Sequence, residues 1–139
     1  MIVIDTNVIA EAMSPKPHPT VSLWLTTQPG HTLFTTTISV AEAFYGVELL
    51  PAGKRRSSLL DSAEIMFARL FAGRILTFDE AAARTLPALA VERRLRGRPI
   101  TLFDAQIAAI ARANGAALAT RDTRDFEGCG IRLVNPWVD

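Results

Sequence analysis

Short β-rich runs alternate with longer helical patterns from one end of the chain to the other. Such alternation predicts a mainly parallel sheet that is covered on both faces by helices. The first run, Ile2-Val3-Ile4, is wholly apolar, as expected for a strand buried on both sides. The predicted strands span 2–5, 32–36, 74–78, 117–120 and 131–134, and the predicted helices span 7–13, 20–27, 39–50, 55–71, 79–96 and 101–114.

The size and composition of the chain indicate one folded domain. Its 139 residues are 49% hydrophobic and 21% charged, the balance of a globular protein with a real core. We therefore expect a single domain over 1–139, an α/β/α sandwich of three layers with a four- to five-stranded sheet. Pro87 falls inside the helix predicted over 79–96 and predicts that this helix is kinked or split.

Sequence features also bear on where the protein works. No apolar run approaches the roughly 20 residues that cross a bilayer, and no basic region precedes the first apolar run. Cys129 is the only cysteine, which excludes an internal disulfide and a cysteine metal site. We expect a cytoplasmic protein that makes no membrane contact.

Four acidic residues fall near the carboxyl ends of predicted strands or open the helices that follow. Because ligands bind at this edge of an open parallel sheet, we expect the four side chains to share one rim. These residues are Asp5, Glu42, Asp104 and Asp122.

Each acid also has a purely structural explanation. Two of the acids fit the last position of a capping box at a helix start. A third precedes a helix as its cap, and the fourth fits an Asx-turn. The patterns are Ser39-x-x-Glu42, Thr101-x-x-Asp104, Asp5 before the first helix and Asp122 after the fourth strand. Asp79 is placed in the same way as a helix cap, and we give it no catalytic role.

The four acids together point to a metal. Carboxylates ~4–6 Å apart repel one another, and a bound divalent cation removes that conflict. Oxygen ligands select Mg²⁺ or Mn²⁺ as the cofactor. His18 and His31 lie in a proline-rich loop and a turn, so we expect exposed polar residues rather than ligands.

Basic residues are nearly all arginine, since Lys16 and Lys54 are the only lysines among 15 basic side chains. Two interpretations stay open. The arginines either form solvated helix faces, with Glu92 and Arg96 paired at i,i+4, or bind phosphates that flank a metal-bound one. The basic positions are Lys54, Arg55, Arg56, Arg93, Arg94, Arg96, Arg98, Arg121 and Arg124.

Several motifs resemble one known family along almost the whole chain. The chain is similar to PIN-domain ribonucleases, and among them to VapC-type toxins, including the FitB-like subgroup. The matching segments are Ile4-Asp5-Thr6-Asn7-Val8-Ile9, Ser39-Val40-Ala41-Glu42-Ala43 with Gly46, Asp104-Ala105-Gln106-Ile107-Ala108-Ala109, Leu118-Ala119-Thr120-Arg121-Asp122-Thr123-Arg124-Asp125-Phe126 and Val134-Asn135-Pro136-Trp137.

This resemblance implies an endoribonuclease that needs Mg²⁺ or Mn²⁺ and hydrolyses RNA. Asp5 and Asp104 look like the principal metal ligands, and Glu42 and Asp122 would complete the pocket. Similar proteins support the pocket through hydrogen bonds from positions that correspond here to Thr6, Asn7, Ser39 and Thr120.

The resemblance also implies partners. Family members act as toxins of type II toxin–antitoxin pairs and form homodimers. The cognate antitoxin binds DNA through its N-terminal domain and fills the active site with its tail. We predict that residues 55–71, with the turn at Lys54–Arg56, help to bind the antitoxin.

Val21, Trp24 and Leu25 form an apolar stripe that we assign to the core rather than to a dimer contact.

One departure from the family leaves the fourth acid open. Many relatives have asparagine at the position of Asp122 and keep their acid at the position of Asp125. We favour Asp122 because it lies nearer the strand end, with Asp125 ordering the loop and Phe126 packed inward.

Two other functions compete with this hypothesis. One is a catalytically inactive PIN-like module that regulates through its DNA-binding partner, although such a module would be expected to lose acids. The other is an aspartyl-phosphate phosphatase. That class needs an acid two residues after its nucleophile, where this chain has Asn7.

Overall fold

The computed structural model describes residues 1–139 as alternating strands and helices. The strands are β1 (Ile2–Ile4), β2 (Leu33–Thr36), β3 (Ile75–Leu76), β4 (Ala117–Ala119) and β5 (Leu133–Val134). The helices are α1 (Thr6–Met13), α2 (Pro19–Thr27), α3 (Thr37–Glu48), α4 (Lys54–Ile65), α5 (Glu80–Leu95) and α6 (Leu102–Ala113). Short 3₁₀ turns at Gly30–Thr32 and Thr123–Phe126 and a π-helical turn at Met66–Leu70 complete the chain.

All five strands join one parallel sheet in the order β3-β2-β1-β4-β5. Ile2 pairs with Leu33 on one side and with Ala117 on the other, so β1 is central. The chain moves outward through β2 to β3 and then crosses back to β4. The strand order therefore reverses at β1, the type of position where open α/β sheets bind ligands. The predicted parallel sheet is confirmed.

The side chains of the central strands alternate between two separate cores. Val3 and Leu118 pack on the side of α5 and α6, whereas Ile4 and Ala119 pack on the side of α1 to α4. This alternation follows from the two-residue period of a strand. The predicted α/β/α sandwich is confirmed. Val21 is buried in the second core as expected, and Trp24 and Leu25 are partly buried and pack against it.

Helix α6 is buried on every side through its middle. All five residues from Ile107 to Ala111 are 0% exposed, and three of them are alanine. Small side chains let this helix lie close to both the sheet and α5. The buried middle of α6 fixes the axis of the helix against the sheet, and its first turn carries Asp104.

Two helices differ from their predicted extents. Helix α4 ends at Ile65 and passes into the π-helical turn at Met66–Leu70. Of the two outcomes predicted at Pro87, a kink or a split, the split does not occur, because α5 is one helix with this proline in its interior. Its inner face carries Ala82 and Leu89, both fully buried, so packing maintains the helix across a residue that lacks an N–H.

None of the six helices combines the length and the apolarity that a membrane span requires.

Pro87 gives a test of this fold. Pro87 is exposed, so Pro87→Ala removes no core packing and restores the missing helical hydrogen bond. We expect the free energy of unfolding, measured by urea denaturation, to rise by about 1–3 kcal/mol. Pro51→Ala, at an exposed loop proline, is the control and should not stabilise the protein. A loss of stability in the Pro87 variant would show that α5 depends on the proline.

Candidate metal centre

Asp5 lies directly after β1 and caps α1. Its Oδ1 accepts a hydrogen bond of 2.8 Å from the backbone N–H of Thr6, and its Oδ2 accepts one of 2.7 Å from the Thr120 hydroxyl. Only 6% of the residue is exposed. The capping role expected from the sequence is therefore present, and it fixes a buried carboxylate at the carboxyl end of the central strand.

Glu42 is held by the first residue of α1. The Thr6 hydroxyl lies 2.8 Å from Glu42 Oε1 and 2.9 Å from the oxygen of Ser39. Because a hydroxyl donates one hydrogen, the consistent arrangement has Ser39 donating to Thr6 and Thr6 donating to Glu42. The side chains of α1 and α3 are thus joined at the site.

The capping box predicted at Ser39 is wrong. Helix α3 begins two residues earlier, and Thr36 is its cap, with its hydroxyl oxygen accepting from the N–H of Ser39 at 3.0 Å. The last residue of β2 takes the capping position, so Ser39 is left buried beneath the site and Glu42 lies in the second turn.

Asn7 joins α1 to the loop after β4. Its Nδ2 donates to Asp122 Oδ2 at 3.1 Å and to Thr120 Oγ1 at 3.3 Å. Its Oδ1 accepts from the N–H of Arg121 at 3.3 Å. The N–H of Asp122 also donates to Thr120 Oγ1 at 3.1 Å. This network, rather than an Asx-turn of Asp122, sets the path of the loop.

Asp104 enters the site from the first turn of α6. Thr101 caps that helix as predicted, its hydroxyl accepting from the N–H of Asp104 at 3.3 Å. The carboxylate is half-buried. The cap sets the direction in which the first turn leaves the preceding loop.

These segments enclose one cavity of about 290 Å³ at the carboxyl edge of the sheet. All four predicted acids, Asp5, Glu42, Asp104 and Asp122, line this cavity. Thr6, Asn7 and Ala10 complete its lining. Ser39 and Thr120 lie buried behind it. Asp125 does not line it and instead borders a neighbouring cavity of about 90 Å³ with Arg93 and Asp104.

Burial raises the pKa of Asp5 from 3.8 to about 6, with hydrogen bonds from Thr120 and Thr6 opposing the shift and the charges of Asp104 and Glu42 adding to it. The pKa of Asp104 is also raised, first by burial and then by neighbouring carboxylates. None of the four acids takes part in an ion pair, since the four salt bridges lie elsewhere. The pocket thus concentrates negative charge that the chain's own cations do not neutralise.

The donor set fits a hydrated Mg²⁺ or Mn²⁺ ion. Every polar group that lines the cavity offers oxygen except the Asn7 amide nitrogen, and hard divalent cations prefer oxygen. No group of three or more acidic, histidine or cysteine side chains is arranged here to hold an ion by itself. Mg²⁺ does not need such a cage, because it usually keeps several waters and binds through one or two carboxylates.

The prediction that grouped Arg93 with the solvated or phosphate-binding arginines is wrong. Arg93 is 5% exposed, and its guanidinium donates to the carbonyls of Arg98, Asp125 and Glu127 at 2.7, 2.7 and 2.9 Å. It therefore ties α5 to the loop that carries Asp122 and Asp125. Its spacing of four from the buried Leu89 was the sequence feature that could have identified it.

Other expectations are confirmed in the same region. Glu92 and Arg96 form the predicted i,i+4 pair at 2.9 Å, and Phe126 is 1% exposed. Asp79 caps α5 by accepting from the N–H of Ala82. His18 and His31 are exposed, and His18 caps α2 through Nδ1.

Fold and pocket together define a class of α/β protein with a carboxylate cluster at the reversal point of a parallel sheet. Residues 2–129 match the PIN domain family. The chain is 42% identical over 137 residues to the plasmid stability protein StbB of Pseudomonas syringae pv. tomato, covering 99% of each chain. The chain belongs to the PIN-domain family, as the resemblance predicted.

Other relatives place it near the VapC and FitB members. It is 41% identical to the VapC ribonuclease Y4jK of Sinorhizobium fredii over 99% of this chain and 98% of that protein. It is 38% identical to the toxin FitB of Neisseria gonorrhoeae over the full length of both. The solved structure of FitAB bound to the IR36 DNA fragment superposes with a TM-score of 0.91 at 38% identity, covering 99% of this chain and 96% of the other.

The raised pKa of Asp5 predicts a stability change with a definite sign. The folded state binds the Asp5 proton more tightly than the unfolded state does. The folded state therefore loses stability as the pH rises from 3.8 through about 6 and Asp5 ionises. In metal-free protein at pH ~7.5, Asp5→Asn should raise the free energy of unfolding by about 1–3 kcal/mol, whereas near pH ~4 the gain should vanish. Urea denaturation in EDTA measures both. Asp122→Asn, at an exposed carboxylate, is the control, and an equal gain there would contradict this account.

Proposed function

We propose that this protein is an endoribonuclease that depends on Mg²⁺ or Mn²⁺ and acts as the toxin of a type II toxin–antitoxin pair. The observation that carries the proposal is the cavity in which four carboxylates from separate segments meet without a cationic partner. The relatives named VapC ribonuclease and toxin FitB, which match nearly the whole chain, support it.

Asp5 and Asp104 would hold the metal, and Glu42 and Asp122 would complete its surroundings. When bound, such an ion polarises a phosphodiester and lowers the pKa of water for attack. Thr120 and Thr6 keep Asp5 in one orientation through hydrogen bonds to both of its oxygens. A metal-binding carboxylate that is already held in one orientation loses little conformational entropy when the substrate complex forms.

Glu42 is suited to a proton-transfer role. Its Oε1 accepts from Thr6, while Oε2 has no hydrogen-bond partner within the chain. A carboxylate that is held at one oxygen and free at the other can orient a water and accept its proton. Glu42 would then orient the attacking water and take its proton, beside the ion that Asp5 and Asp104 would hold.

The proposed antitoxin has a suitable surface next to the site. An open groove of about 710 Å³ is lined by Met13, Lys54, Arg55 and Leu59, and it shares Ala10 with the acidic pocket. A segment of antitoxin that lies in this groove would extend directly into the carboxylate cluster. The FitAB structure supports a partner of this kind, and we also propose that the toxin forms a homodimer.

The rival functions find less support. Asn7 stands where an aspartyl-phosphate phosphatase needs its second acid, and the amide is committed to Asp122 and Thr120. An inactive module has no need for the hydrogen bonds that hold Asp5 and Glu42 in the pocket. Metal-dependent cleavage of RNA distinguishes all three.

Purified protein should cleave RNA with Mg²⁺ or Mn²⁺ and lose all cleavage in EDTA. Asp5→Asn should reduce the rate at least about 100-fold, because it removes a charged metal ligand. Thr120→Val should reduce it about 10- to 100-fold, because it removes only the support of that ligand. Gel assays with labelled RNA measure the rates, and thermal unfolding shows whether the variants are folded. Full activity of folded Asp5→Asn would refute the mechanism.

The two candidate fourth acids can be separated by a matched pair. Asp122 lines the cavity and Asp125 does not, although both are exposed. We expect Asp122→Asn to reduce cleavage about 10-fold or more and Asp125→Asn to change it by less than about threefold. Initial rates at saturating Mn²⁺ provide the measurement. The reverse order of effects would assign the fourth acid to Asp125.

A further inference from the structure

Arg121 is an exposed residue that the structure holds at three points. Its N–H donates to Asn7 Oδ1 at 3.3 Å, and its carbonyl accepts from Asn135 Nδ2 at 3.5 Å. Its guanidinium carbon lies 5.2 Å from the centre of the Trp137 ring. Asn7 and Asp122, the residue after Arg121, both line the acidic cavity, so the backbone of Arg121 lies at the rim of the pocket.

Trp137 is itself anchored. Its backbone N–H donates to Asn135 Oδ1 at 2.9 Å, and the backbone N–H of Asn135 donates to Asp139 Oδ2 at 2.6 Å. The ring packs against the apolar core formed with α1 to α4. The last residues of the chain therefore form a firm support under the guanidinium of Arg121.

The guanidinium has no other partner in the chain. It makes no side-chain hydrogen bond, and the four ion pairs use Arg56, Arg84, Arg96 and Arg98 instead. The cation–π contact with the Trp137 ring uses no hydrogen-bond donor and leaves the N–H edges of the guanidinium free. Those edges suit the paired oxygens of a phosphate. Although Asp122 is the next residue, its carboxylate accepts from Asn7 rather than from Arg121.

We propose that Arg121, supported by Trp137, binds a phosphate of the RNA strand that flanks the phosphate entering the acidic pocket. This inference rests on the proposed nuclease function and adds a substrate-binding residue to it. The arrangement offsets the repulsion between an acidic site and a polyanion. Arg121 holds the strand at the rim while the carboxylate cluster receives the scissile bond.

The decisive variant is Arg121→Gln, compared with Arg132→Gln as a matched control. Arg132 is also exposed but borders a cavity at the amino ends of the strands with Met1, away from the acids. Loss of a phosphate contact should raise KM about tenfold and leave kcat nearly unchanged, since a charge-assisted hydrogen bond is lost from substrate and transition state alike. The control should change neither.

Salt dependence gives a second readout that a structural defect would not move. Binding of a fluorescent single-stranded RNA in EDTA, followed by anisotropy over about 50–200 mM salt, reports the number of phosphate contacts. Arg121→Gln should reduce the slope of log affinity against log salt by about 0.7. Trp137→Leu keeps the charge, so it should weaken binding a few-fold with little change in slope.

The proposal is overturned if Arg121→Gln alters KM and slope no more than Arg132→Gln does. It is also overturned if only kcat falls, because that result would indicate displacement of Asp122. An unchanged slope together with weaker binding of the antitoxin would assign Arg121 to that partner instead. Failure of the wild-type protein to bind or cleave RNA would refute the nuclease function itself, which separates the two hypotheses.

Discussion

The burial of an unpaired carboxylate at the end of β1 governs the rest of this structure. Asp5 is 6% exposed, its pKa is raised to about 6, and no cation of the chain compensates its charge. The N–H of Thr6 and the hydroxyl of Thr120 offset only part of the burial cost. The remaining cost of burying the charge lowers the stability of the free protein and would be offset by a bound cation. The surrounding oxygens favour a divalent one.

The fold assembles the other acids around Asp5 by ordinary packing. Strands β2 and β4 flank β1, so the segments that follow them begin at the same edge of the sheet. Alanine-rich α6 is locked between the sheet and α5, and it presents Asp104 from its first turn. Hydrogen bonds from Thr6 and Asn7 then join α1 to α3 and to the loop after β4. The supports of the site are therefore residues of α1, of the buried end of β2 and α3, and of the loop after β4.

Much of this arrangement could be predicted from the sequence, because it depends on local patterns. The apolar period of the strands and the position of each acid after a strand or at a helix start were enough to predict a common rim. Contacts between distant segments were not accessible in that way. Thr36 displaced Ser39 as a cap because β2 ends at it, and Arg93 is buried only because the loop after β4 folds over α5. The cation–π contact of Arg121 with Trp137 likewise needs the C-terminal turn.

The central claim is that the acids bind a divalent cation together, and titration of the metal-free protein with Mn²⁺ by calorimetry tests it most directly. The account predicts saturable binding at pH ~7.5 that is lost in Asp5→Asn and weakens as the pH falls through about 6, where protons compete for Asp5. Absence of saturable binding, or binding that is equal in the variant, would contradict it.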